Sequence, residues 1–173
     1  MPKIPKLQPV RSPADVPIIR KVPALVKVPA HPPIVGTVIS DVVFQMPTHY
    51  VGGRTTLCGG EDECEYCGSV ELRFFGLIAV WDRNESQGKW VQLPAQAVAA
   101  FLNQLAEMQV PMHGVTVKIQ RERKTIKSPV VISIDKYAQV QSRLPKPWTP
   151  EETIERIFGS PKSTPIVPVK LVS

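Results

Sequence analysis

The sequence predicts a mainly β domain of the α+β class, preceded and followed by proline-rich extensions. Three observations predict it: five apolar stretches with alternating side chains, one stretch with helical spacing, and prolines concentrated toward both ends. Of the 173 residues, 43% are hydrophobic, which is enough for one domain with its own core. We therefore expect one folded domain over residues 34–137, between extensions formed by residues 1–33 and 138–173.

Residues 1–33 are basic and rich in proline. Nine of the nineteen prolines precede Gly36, and the same segment carries six basic residues and one acidic residue. Proline at this density removes amide donors and favours extended backbone, so we expect an extended arm. The arm is either disordered or lies along a partner, and apolar residues such as Leu25 and Val28 keep the second option open.

The first three predicted strands follow the arm. The first is Ile34–Met46, and the segment 47–68, which holds the cysteines and several glycines, is predicted to be a loop. The second strand is Val70–Trp81 and the third is Lys89–Leu93. The polar residues 82–88 between them predict a turn, so the second and third strands are expected to form a hairpin.

One amphipathic helix is predicted at Ala95–Met108, opened by Pro94, with apolar residues at helical spacing. A fourth strand (Gly114–Gln120) and a fifth strand (Val130–Ile134) follow, separated by a basic loop over residues 121–128. A short second helix is predicted at Pro150–Phe158, where Thr149 and Glu152 form a capping box and Gly159 follows the end.

Five strands with a helix between the third and the fourth match the chain order of an OB-fold, a small barrel that binds single strands or oligosaccharides. We therefore predict a five-stranded OB-like barrel. The cysteine loop falls between its first and second strands, and the short helix follows the barrel. Other α+β arrangements share this chain order and stay open as alternatives.

The cysteine loop predicts one zinc site, with His49, Cys58, Cys64 and Cys67 as ligands. Thiolates and imidazole suit the borderline softness of zinc, and Cys64 and Cys67 are spaced as a tight knuckle in which two sulfurs bind one ion. The glycines of the loop permit the turns that bring the other two ligands to the same place. His31 and His113 are the rival fourth ligands.

The predicted zinc is structural, because four protein ligands leave no position open for a reacting water. The His-x-Glu and Pro-Cys-x-x-Cys elements of zinc deaminases are missing, and no helix follows Cys67 to favour a thioredoxin-type reaction. The alternatives are ordinary thiols, a different metal, or an iron–sulfur cluster completed by a partner's ligand.

Alternation also predicts a strand face that could hold single-stranded nucleic acid, through aromatic rings for the bases and cations for the phosphates. The alternative for the aromatic residues is core packing or a position covered by the arm, and for the basic loop a solvated turn. The candidates are Arg73, Phe75, Trp81, Trp90 and Lys118 on the strands, Arg121, Arg123, Lys124 and Lys127 in the basic loop, and Tyr50 and Arg54 near the metal site.

Charge and composition limit the cellular location and the kind of partner expected. The net charge is +6 with a pI near 9.4, and the positive charge is concentrated in the two extensions, which is compatible with nucleic-acid binding. No apolar run is long enough to cross a bilayer, no signal peptide is evident, and three clustered cysteines are atypical of a disulfide framework. We expect a location in the cytoplasm of a bacterial cell or a phage-infected host, without membrane contact.

The motif His49-Tyr50, Arg54, Cys58, Cys64 and Cys67, followed by Leu72-Arg73-Phe74-Phe75, resembles that of phage-type single-stranded DNA-binding proteins. The resemblance covers roughly residues 35–137 and implies an OB-fold whose structural zinc loop lies beside a DNA-binding cleft. Two departures are evident: the ligand spacings are shorter than in the best-known member, and the chain ends in residues 169–173 without the acidic tail that recruits replication partners.

The resulting expectation is a non-enzymatic protein that binds single-stranded DNA, or RNA, in replication or recombination, and whose binding weakens when the zinc is chelated. Its arm would mediate self-association or contact with replication proteins. The alternative is an interaction or assembly protein, such as a phage structural component, whose proline-rich arm binds neighbouring subunits. An enzyme is the third hypothesis, because no nucleophile with a base, no paired carboxylates and no phosphate-binding glycine loop is evident.

Overall fold

The computed structural model describes residues 24–125, 127–135 and 144, together with the strand Val167–Val169. Most of the predicted arm and the predicted helix Pro150–Phe158 lie outside the described residues. No helix in the described part of the chain is long and apolar enough to cross a membrane.

The described residues form one mixed, open sheet and one helix, so the fold is mainly β, as predicted. The helix α1 (Ala95–Met108) lies between the sixth and seventh strands in chain order. The strands are β1 (Ala24–Lys27), β2 (Ile34–Val38), β3 (Val43–Val51), β4 (Arg54–Leu57), β5 (Leu72–Asp82), β6 (Gln87–Pro94), β7 (Thr116–Arg121), β8 (Val130–Ile134) and β9 (Val167–Val169).

The long strand β5 is at the centre of the sheet. The main path runs β1-β6-β5-β2-β7-β8, with β6 along one side of β5 and both β2 and β3 along the other. β1 is parallel to β6, and the other neighbours are antiparallel. The far edge of β3 carries β4 at one end and β9 at the other.

The predicted first strand is wrong in one respect, because Ile34–Met46 is broken into β2 and β3. Val38 and Phe44 pair with Val80 and Leu77 of β5. The chain has three more residues between the first two than between the second two, so β2 and β3 are not one continuous strand. The Ser40 hydroxyl accepts a hydrogen bond from the Ala79 amide at 3.1 Å and so satisfies a donor left by the break.

The predicted loop 47–68 is also partly wrong, because its first half is a β-hairpin. β3 continues to Val51, and β4 returns antiparallel to it from Arg54. Gly52 and Gly53 form the connection with φ values of 56° and 81°. Two consecutive positive φ values match the right-handed strand twist in a two-residue hairpin and are favourable for glycine.

The predicted helix and the predicted fifth strand are observed over the same residues, as α1 and β8. Ala97, Phe101 and Leu105 are the buried residues of α1, and Gln109 in the left-handed region ends the helix. The helix approaches β5 so closely that a Cβ atom on Gly76 would collide with the Val98 side chain. Glycine at this position is what permits the close helix–sheet contact.

Apolar side chains cover both faces of the central strands. The main core lies between one face and α1, and includes Ile78, Val80 and Phe101. A second cluster on the opposite face contains Ile39, Met46, Leu77, Ala79 and Trp90.

This second cluster corrects the predicted nucleic-acid face. Trp90 is only 1% exposed and packs edge-on against Phe44, with ring centroids 5.8 Å apart. Phe75 and Trp81 are half-buried against the same cluster. The central part of the face is therefore a core, and the Trp90 ring is not accessible to a base.

The last residues of the predicted arm belong to the sheet. β1 pairs with β6, Leu25 packs against the second cluster, and Val28 is 3% exposed in the main core. Arg121 is half-buried and holds this segment in place: its Nε donates to the Val28 carbonyl at 3.0 Å. Arg121 was predicted as a nucleic-acid contact, and part of its guanidinium is committed within the domain.

A buried ion pair closes the hairpin between β5 and β6. Lys89 Nζ lies 2.8 Å from Asp82 Oδ2 and 2.8 Å from Glu85 Oε1, and both Lys89 and Asp82 are less than 10% exposed. The other Asp82 oxygen accepts the Asn84 amide at 2.9 Å. Hydrogen bonds to both carboxylate oxygens reduce the cost of burying this charge.

Candidate metal centre

Two structural units bring the four predicted ligands together. His49 lies near the end of β3 and Cys58 directly follows β4, so the β3–β4 hairpin supplies both. The Cys58 amide donates to the Pro47 carbonyl at 3.0 Å, which extends the hairpin pairing to the ligand itself. Cys64 and Cys67 come from the turns that lead into β5.

Backbone hydrogen bonds shape the turns around Cys64 and Cys67. The amides of Glu63 and Cys64 both donate to the Gly60 carbonyl, and the Cys67 amide donates to the Cys64 carbonyl at 3.2 Å. Gly60 has a φ of 105°, which a residue with a side chain rarely adopts. These bonds direct the Cys64 and Cys67 side chains toward the hairpin.

The geometry of the four ligand atoms suits one metal ion. All four atoms lie within 4.8 Å of one another, and no disulfide joins the cysteines. Cys58 Sγ is 3.4 Å from Cys67 Sγ, and Cys67 Sγ is 3.6 Å from His49 Nε2. Tetrahedral zinc with Zn–S bonds of about 2.3 Å would separate two sulfurs by about 3.8 Å, so small shifts accommodate it. The four residues could therefore bind a metal ion.

The orientation of His49 leaves the correct nitrogen available. His49 is 1% exposed, and its Nδ1 lies 3.2 Å from the Glu71 carbonyl oxygen, which can only accept. Nδ1 therefore carries the proton, and Nε2 presents its lone pair to the three sulfurs. A backbone carbonyl behind a metal-binding histidine fixes both its tautomer and its ring orientation.

Crowding of the thiols separates their pKa values. Burial raises the pKa of Cys64, but hydrogen bonds from the Tyr66 amide and the Cys67 thiol outweigh it and lower the pKa to about 7. Two effects raise the pKa of Cys67 to about 12: the larger is a hydrogen bond with Cys58, and the second is burial. A divalent cation would favour all the thiolates at once, so metal binding must release protons.

A cleft of about 410 Å³ adjoins the metal ligands on the α1 side of the sheet. Its walls include Leu72 and Phe74, which are 42% and 40% exposed. Glu61 lies at the same cleft, and Asp62, Glu63 and Glu65 follow it in the metal loop. The surroundings of the candidate metal centre are therefore apolar and acidic.

The predicted nucleic-acid residues near the metal ligands are exposed. Tyr50 is 52% exposed, and the Arg73 guanidinium lies 5.7 Å from the centre of its ring. Arg73 is also paired with Glu71 at 3.2 Å, and Arg54 is exposed at the start of β4. The positive charge at this end is therefore partly neutralised by nearby carboxylates.

The remaining predicted cations lie on β7 and in the β7–β8 loop, where the main strand path of the sheet ends. Lys118 is exposed on β7, and Arg123, Lys124 and Lys127 are exposed in the β7–β8 loop. The structure therefore divides the predicted residues among an exposed group near the metal ligands, a buried group around Trp90, and an exposed group on β7 and its loop.

The sequence interpretation missed Arg83. This residue falls in the segment predicted as a polar turn, but its Nη2 atom donates to the hydroxyls of Thr37 and Thr116, each at 3.2 Å. The available signal was its position two residues after Trp81, on the same side of the chain in an extended strand.

Comparisons of the chain with protein-family models, curated proteins and solved structures gave no match.

Proposed function

We propose that the protein is a non-enzymatic single-stranded nucleic-acid-binding protein, with DNA as its ligand in replication or recombination, built on an OB-like barrel with one structural zinc ion. The observation that carries the proposal is the exposed basic loop between β7 and β8, where Arg123, Lys124 and Lys127 are opposed by Glu122 alone. An exposed cationic loop at the edge of a β-sheet suits the phosphates of a single strand.

The strand order supports the OB-like part of the proposal. The path β6-β5-β2-β7-β8 corresponds to strands 3-2-1-4-5 of a five-stranded barrel, with α1 between the third and fourth strands. Among the described strands, β6 and β8 do not pair, and β1 lies along the free side of β6. The N-terminal segment thus takes the position at which such a barrel would close.

Zinc is the metal proposed for the ligand cluster. One imidazole and three thiolates are a donor set typical of structural zinc sites, and four protein ligands complete the tetrahedral coordination of one ion. His49 and Cys58 come from one hairpin, whereas Cys64 and Cys67 precede β5. The ion would therefore join the hairpin to the central strand, which is a structural role.

The test is fluorescence anisotropy of a labelled, mixed-sequence single-stranded DNA with the purified chain, alongside RNA and duplex DNA of the same length. We expect binding to the single strand that weakens steeply with salt, because phosphate contacts release counterions. Absence of binding to DNA and RNA at low salt would overturn the proposal.

The assembly function, in which the arm binds neighbouring subunits, has weaker support. It was motivated by the apolar residues of the arm, and Leu25 and Val28 are packed within their own domain. These two residues therefore need no external partner. Deletion of residues 1–23 would test the rest of the arm, since loss of an oligomer in sedimentation would favour assembly.

A further inference from the structure

On their outer face, the side opposite α1, the strands β2, β7 and β8 carry no acidic residue, but Asp135, directly after β8, lies opposite Thr116. None of these three strands contains an aspartate or a glutamate. Their side chains on this face are Val35 and Thr37 from β2, Thr116, Lys118 and Gln120 from β7, and Val131 and Ser133 from β8.

The strand register aligns these residues in rows that run across the three strands. Thr37 is opposite Thr116, and Lys118 lies between Val35 and Ser133. Lys118 and Ser133 are exposed, and Val131 is 37% exposed. The face is therefore exposed at its β7 and β8 end, whereas Thr37 on β2 is buried.

Arg83 adds a second cation to this face. Its guanidinium is held at the Thr37–Thr116 row by the two hydroxyls, and no ion pair joins it to a carboxylate of the described residues, although Asp135 lies opposite Thr116 on the same side. Two neutral hydroxyls fix its position without neutralising its charge. Arg83 is otherwise exposed, and a guanidinium binds phosphate in bidentate fashion.

The two cations are spaced along one strand. Arg83 contacts Thr116, and Lys118 is two residues further on the same face, a step of about 6.7 Å along a strand. A step of this size is comparable to the separation of successive phosphates in an extended single strand. The row continues past Gln120 into the exposed cations of the β7–β8 loop, Arg123, Lys124 and Lys127.

The end of the sheet that carries the metal ligands, the metal end, is acidic, which makes it the poorer path for a nucleic acid. Four carboxylates lie between Gly60 and Tyr66, and Glu71 pairs with Arg73. β5, which separates this end from Trp81 and Arg83, is 11 residues long, or about 36 Å. Phosphates would be repelled by the carboxylates of the metal end and attracted by the cations of the outer face.

We infer that single-stranded nucleic acid runs across the outer face of β2, β7 and β8, with Arg83 and Lys118 binding successive phosphates and Trp81 at the start of the route. Trp81 is half-buried and is the register partner of Thr37, so it lies next to the Arg83 row. The inference rests on the proposed function and names its binding surface.

Two double variants of equal charge test this route. Arg83→Gln with Lys118→Gln alters the outer face, and Arg54→Gln with Arg73→Gln alters the metal end. The measurement is anisotropy with single-stranded DNA across a salt series. Each lost phosphate contact lowers the slope of log affinity against log salt by about 0.7 for a single strand, so we expect a decrease of about 1.4 for the outer-face variant.

The outcomes distinguish failure of the proposed binding route from failure of the proposed function. Absence of binding by the unaltered protein overturns both, whereas normal binding with an equal slope in the outer-face variant overturns the route alone. A larger loss in the metal-end variant also overturns the route. Lys118→Gln alone guards against misfolding, because the Lys118 side chain makes no hydrogen bond or ion pair among the described residues. It should still lower the slope by about 0.7.

Discussion

His49 is held by the carbonyl of Glu71, which accepts its Nδ1–H at 3.2 Å. His49 is also the register partner of Leu72, the first residue of β5, so the side-chain bond lies directly beside the last rung of the β3–β5 ladder. The orientation of one ligand therefore depends on strand pairing. Half of the candidate metal centre is positioned by the sheet before a metal is bound.

Cys64→Ser should abolish stoichiometric zinc binding and lower the melting temperature. Loss of a ligand should reduce zinc affinity by more than about 100-fold, the upper range for changes to residues behind the ligands. Glu65→Gln is the matched control, because it alters the neighbouring residue and keeps the four ligands. Metal content by mass spectrometry and thermal unfolding are the measurements, and one tightly bound zinc in Cys64→Ser would show that the ligand set is different.

Trp90→Ala should reduce the free energy of unfolding by about 3–5 kcal/mol, because it removes a large side chain from a packed cluster. Tyr50→Ala, at a residue that is 52% exposed, should change it by less than about 0.5 kcal/mol. Urea denaturation of both variants is the measurement. Equal stability of the two would mean that the second cluster is not a core.

Gly76→Ala should destabilise the protein by about 1–3 kcal/mol, since its Cβ would collide with Val98. Gly88→Ala is the control within the sheet, because a Cβ there would meet Ile39 Cδ1 at an ordinary 3.8 Å. Combining Gly76→Ala with Val98→Ala should recover part of the loss. Failure of this recovery in denaturation experiments would show that the helix contact is not the source of the cost and would point to Val43, whose Cγ1 atom the new Cβ would meet at 2.9 Å.

Lys89→Met should cost about 3–5 kcal/mol, because it leaves the Asp82 carboxylate buried without its cation. The double variant Asp82→Asn with Lys89→Met removes both charges and keeps an acceptor for the Asn84 amide, so it should be more stable than Lys89→Met. A double variant no more stable than Lys89→Met would show that the charge of Asp82 is not the source of the cost.

The same pair predicts a pH dependence. Burial raises the pKa of Asp82, but hydrogen bonds from Lys89 and the Glu85 and Asn84 amides outweigh it and leave the pKa below its ordinary value. A lowered folded pKa means that the stabilisation is present above the unfolded pKa of about 3.9 and is lost as pH falls through the folded value. Unfolding measured between pH 6 and about pH 2 should show this loss, and Lys89→Met should diminish or reverse it.

Local patterns predicted much of the structure. The metal ligands were found because a Cys-x-x-Cys knuckle, a third cysteine and one histidine lie within 19 residues, and the glycines between them signal turns. α1 and β8 were found because helical spacing and alternation are written in the residues of each element. The Gly52-Gly53 hairpin carried a comparable signal, which the interpretation of the segment as a loop passed over.

The sequence by itself determined which side chains share a face, because alternation follows from strand geometry. Only the tertiary structure decided which face is covered. Trp90 and Lys118 both belong to the predicted nucleic-acid face, yet one is buried beneath Phe44 and its neighbours and the other is exposed. Burial depends on segments distant in the chain, such as Leu25 and Leu144, and no local pattern specifies where these pack.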